Sequence, residues 1–112
     1  MPAKKRFASS KRVAKLRDKV LSLSHSGDLE GARSALQEVL SLRDTGLISE
    51  ENMTEFNCRV LESEIDIAAI EAKPIHSLAN VLRTIASSDD FSEKRRVEML
   101  DYGLAIISKL TR

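Results

Sequence analysis

Apolar residues recur every three to four positions from about Ser10 to the end of the chain, and no stretch of useful length alternates as a strand would. Five helices are predicted. The first starts after Ser9 and Ser10, residue types that cap helix N-termini. It carries the narrow stripe Val13, Leu16, Val20 and Leu23, and Gly27 stops it. Asp28 caps a second, with Leu29, Ala32, Leu36, Val39 and Leu40 inward, and Gly46 ends it.

The third start is marked by Ser49, by Glu50 and Glu51 in a first turn that favours acids, and by Ile48 placed to staple onto Met53. This helix is expected to run to Lys73, because the residue before a proline avoids helical geometry. At 100° per residue it has two apolar flanks, one of Phe56, Val60, Ile67 and Ile70, the other of Leu61, Ile65, Ala68 and Ala72. Such a helix touches two neighbours. Between the flanks run Asn57, Glu64 and Glu71, carboxylates that lie at a groove or rim and stay wet, or meet bases across an interface.

Pro74 suits the first turn of a fourth helix, with Ile75, Leu78, Leu82 and Ile85 on one face. Ser87 to Asp90 breaks it. Asp90 with Glu93 resembles a capping box for the fifth, whose inner side is expected to be Val97, Leu100, Leu104, Ile107 and Leu110. The predicted fold class is therefore all-α, a compact antiparallel helical bundle of four to five helices. Residues 10–112 form one domain, preceded by a flexible basic tail over 1–9.

Composition fills in the core. With 112 residues, no Trp, three Phe and one Tyr, the interior has to be aliphatic. One domain of this size can fold without disulfide or metal. Cys58 is the single cysteine, which implies a reducing compartment, read as the cytoplasm. The start Met1 to Arg6 has the charge of a signal peptide but no apolar region after it, and no run approaches a membrane span. The chain is expected to be neither exported nor embedded.

Net charge is +1, which hides an asymmetry: eight of the eighteen Lys and Arg residues lie within positions 1–19, against Asp18 alone. The rest of the chain is acidic. Residues 44–72 hold eight acids against Arg59.

The first hairpin has a resemblance of its own. Gly27, Asp28 and Leu29 resemble the turn of a tetratricopeptide-type hairpin, and Ala32 and Leu36 its packing positions, over residues 16–42. Val20 and Val39 depart from it, standing where that family prefers small residues. Arrays of this type need about three repeats for stability, so the resemblance implies one helical hairpin, and no peptide-binding function is carried over from it.

Candidate chemistry is sparse. His25, His76 and Cys58 have no metal-ligand spacing, and the four glycines form no phosphate-binding loop or nucleophile elbow. No cofactor, metal or catalytic residue is assigned, and the chain is expected not to be an enzyme.

Two binding readings follow. The preferred one is a small regulatory protein that binds another protein, as transcription-factor antagonists, adaptors and secretion chaperones of this size do, as a homodimer. Its contact residues are Leu16, Val20, Phe56, Val60, Glu64, Ile67 and Glu71. The alternative is a nucleic-acid-binding accessory protein using residues 4–19, through Lys4, Lys5, Arg6, Lys11, Arg12, Lys15 and Lys19. A third, a basic helix on an anionic membrane, has little apolar area to offer in Phe7 and Leu21.

Overall fold

The computed structural model describes residues 7–112, and Lys4, Lys5 and Arg6 lie outside them. Five α-helices follow in order: α1 (Ser10–His25), α2 (Leu29–Asp44), α3 (Met53–Ala68), α4 (Pro74–Ser87) and α5 (Glu93–Leu110). The all-α bundle expected from the periodicity is what the chain forms.

Local chemistry places most of the boundaries. Ser9 accepts a hydrogen bond from the Arg12 amide, and Asp28 accepts one from Gly31 at 2.9 Å, each satisfying a free donor of the first turn. Gly27 turns between them at φ 78°, where a side chain would be strained. The hairpin drawn from residues 16–42 forms, with Ala32 and Val20 sealed from solvent.

Three boundaries differ from expectation. Ser49 opens a single 3-10 turn, Glu50–Asn52, and the α-helix proper begins at Met53. α3 stops at Ala68, five residues before Lys73. Ile70 and Glu71 bond three residues back, at 3.1 and 3.3 Å, and Lys73 leaves the helical region at φ −122° ψ 75°. Reversing the chain into α4 uses up those residues. The cap of α5 is Ser92, whose hydroxyl accepts from the Arg95 amide at 3.3 Å, and not Asp90.

α3 divides the core in two. Phe56, Val60 and Ile67 pack with Val13, Val20, Leu36 and Val39 of the first hairpin. Cys58, Leu61, Ile65 and Ala68 pack with Leu78, Leu82, Ile85 and Met99 of the second. Among the described residues neither α1 nor α2 has backbone contact with α4 or α5. The bundle is correspondingly drawn out, 59 × 31 × 18 Å, with a radius of gyration of 14.8 Å against about 13 Å for a chain of ~100 residues packed round one centre.

α5 is seated differently from the expectation. Met99 and Gly103 face inward, while Val97, Leu104 and Leu110 are exposed. Leu100 and Ile107, also expected inward, do pack against the second core, so the helix is rolled by part of a turn relative to the expectation. Leu82 lies so close to Gly103 that a Cβ there would be 2.5 Å from its Cδ2. Helix α4 can approach α5 this closely because position 103 has no side chain.

Candidate functional site

α3 is flanked by α2 on one side and α4 on the other, and since those two do not meet, a groove of about 540 Å³ is left along it. Its floor is Glu64, Ile67, Ala68 and Glu71. Arg33, Leu36 and Gln37 of α2 form one wall, and Ser77, Asn80, Val81 and Thr84 of α4 the other.

The two floor acids differ. Glu71 accepts from the Ser77 hydroxyl at 3.1 Å and lies 3.8 Å from the Arg33 guanidinium. Glu64 has no ion pair and no hydrogen bond among the described residues, though it is half-buried. Burial raises its carboxyl above the ordinary range, opposed in part by the charge of Arg43. That arginine is itself engaged, donating to Asn57 at 2.9 Å. Glu64 is thus a half-buried carboxylate held without a direct ion pair among the described residues, an arrangement that costs free energy.

The other residues expected at a protein contact sit elsewhere. Val20, Phe56, Val60 and Ile67 are 0 to 5% exposed and belong to the core between α1, α2 and α3. Their packing partners are in the same chain. Leu16 is half-buried at the edge of that core. Of the seven, the structure brings together Glu64, Ile67 and Glu71, and only the two acids present polar atoms to the groove.

The described part of the basic segment is exposed on α1. Lys11, Arg12, Lys15 and Lys19 all reach solvent, and Lys19 lies 3.5 Å from Glu38 of α2. Arg12, Lys15, Leu16 and Lys19 share one shallow depression with Glu38.

Sequence reasoning missed a second cluster. Arg17, counted as one of the basic arm, is 6% exposed and points inward to Asp66 of α3, itself 4% exposed, at 2.7 Å. The Tyr102 hydroxyl of α5 donates to the other oxygen of that carboxylate. Burial and the neighbouring Asp66 push the Tyr102 hydroxyl up to about 12. Beside them Arg95 bridges Glu55 at 3.0 Å, Glu62 at 3.4 Å and Glu98 at 3.0 Å. The signal was present in the spacing: Val13, Arg17, Val20 and Ser24 form one heptad seam, so a charge there has to be buried with a partner. Cys58 lies in the same region, and burial raises its thiol even against the nearby Arg95 charge. A thiol held protonated is a poor nucleophile.

These features define a helical protein with an open, mixed polar and apolar groove and a charge network that runs from the buried Arg17–Asp66 pair out to the surface. Compared with protein-family models, with curated proteins and with solved structures, the chain matches none of them. No helix among the described residues is long and apolar enough to cross a membrane.

Proposed function

We propose that this is a small non-enzymatic regulatory protein that binds another protein, and that the groove between α2 and α4 is where it does so. The observation that carries the reading is Glu64, a half-buried carboxylate with no ion pair or hydrogen bond among the described residues, at the floor of an open groove. Around it the walls offer the amides of Gln37 and Asn80, the hydroxyls of Ser77 and Thr84, and the apolar edges of Leu36 and Val81. Polar groups on an apolar base are what protein interfaces use to fix a partner's register.

The surface proposed here differs from the one expected from sequence. Glu64 and Glu71 stay in it, while Val20, Phe56, Val60 and Ile67 support it from inside. Self-association belongs to the same proposal, with the acids of the groove meeting bases of a second copy, and a cytoplasmic setting fits the single buried thiol.

The test is capture of partners from an extract of the protein's own cells by the full chain, with Gln37→Arg, Asn80→Arg and Thr84→Arg combined as the groove variant. These rim positions can change without disturbing either core. Loss of a captured protein in the variant, with helicity intact and nuclease without effect, supports the reading. Capture that ignores the groove variant overturns it.

The alternative, nucleic-acid binding, is supported by the exposure of Lys11, Arg12 and Lys15 on one end of α1. Binding of this kind would disappear when those three are changed to Glu and would fall steeply with salt.

A further inference from the structure

We infer that the groove takes a helical segment of a separate partner protein through one lysine or arginine, which pairs with Glu64 while apolar neighbours on the same segment rest on Leu36 and Val81. This rests on the groove reading above and names the chemistry of the occupant. The charge argument has two parts. Glu64 is half-buried with no ion pair or hydrogen bond among the described residues: the charge of Arg43 acts on it only without a direct contact, and Arg33 stands beside Glu71. A partner cation would remove the cost of holding that carboxylate out of water, a gain that a neutral or acidic segment cannot supply.

Shape selects a helix. The groove is a trough with a helix for its floor and a helix on either side, the setting in which an amphipathic helix lays one face between two others. On such a segment the cation and its apolar neighbours stand three or four residues apart, so that all reach the trough together. Arginine fits better than lysine, because its planar fork can bond the carboxylate at two points and still donate to the Asn80 amide on the wall.

The experiment is selection of displayed helical peptides, randomised along one face, against the full chain, Glu64→Gln and Glu64→Arg, with folding of each confirmed by circular dichroism. Peptides selected on the natural chain should carry Arg or Lys at one position between apolar residues. That preference should vanish on Glu64→Gln and turn to Asp or Glu on Glu64→Arg, and each mismatch should weaken binding about tenfold or more. Selected peptides without a basic preference, or with one that survives Glu64→Gln, overturn the inference. If those same peptides are still lost on the triple rim variant, the groove stands and only the cation is removed. If no peptide is selected, both go. Sedimentation of the full chain completes the test: a concentration-dependent mass that falls to a monomer in Glu64→Gln would mean that a second copy supplies the cation, which overturns the separate partner.

Discussion

Arg17 of α1 and Asp66 of α3 meet at 2.7 Å with both side chains more than nine-tenths buried. Removing either partner strands the other charge in the interior. Arg17→Ala or Asp66→Ala should lose about 3–5 kcal/mol, read by urea unfolding, whereas Arg17→Met combined with Asp66→Leu should recover most of that loss. A single substitution that leaves the unfolding midpoint where it was would show that the pair is solvated.

Tyr102 is the single tyrosine, so absorbance titration of the phenol reads it alone. The midpoint should fall near 12. A hydroxyl pushed up by folding stabilises the fold below its unfolded value of about 10. That contribution should be lost as pH rises from there through 12. Tyr102→Phe removes a donor to Asp66, should cost about 1–2 kcal/mol at neutral pH, and should abolish this alkaline loss.

Glu64 obeys the same linkage at the acid end. Its raised carboxyl favours the protonated form in the folded chain, so its ionisation weakens the fold as pH rises through the folded value. Glu64→Gln should therefore melt at or above the natural chain at pH 7, and the two curves should converge in acid, where Glu64 is already neutral. A variant less stable than the natural chain at pH 7 would show that Glu64 has found a cation within the chain.

Gly103 faces Leu82 with no room for a methyl group. Overpacking of about 1–3 kcal/mol should outweigh the helix preference of alanine, about 1 kcal/mol, so Gly103→Ala is destabilising. Gly103→Ala with Leu82→Ala should be less costly than the two single changes added together, as thermal melts of the four chains would show.

The exposed residues of α5 make a last contrast. Leu104→Lys and Val97→Lys should change stability by no more than about 0.5 kcal/mol, because both positions stand in solvent.

How far the sequence could be read is clearest along α3 and α5. The two flanks of α3 were legible because each is a clean run of apolar residues at helical spacing, and Glu64 between them could be placed at a groove. On α5 two stripes compete. Val97, Leu100, Leu104 and Ile107 look more hydrophobic than Met99, Gly103 and Ile106, yet only Leu100 and Ile107 of the first set pack at the core edge, because Gly103 is what permits close approach to Leu82. A glycine's value as a packing surface is invisible to hydrophobicity. Arg17 was hidden for a related reason, since its neighbours Lys15 and Lys19 made it look like one more solvated charge, and its partner lies 49 residues away.

The division of the interior along α3 makes the molecule resemble a book, with α3 as the spine and the two hairpins as its covers. Each cover is held to the spine by its own core, and the Arg17, Asp66 and Tyr102 cluster is the clasp that reaches from one to the other. The trough between α2 and α4 lies where the covers open. A segment laid there touches both, and so joins α2 to α4, two helices without backbone contact of their own.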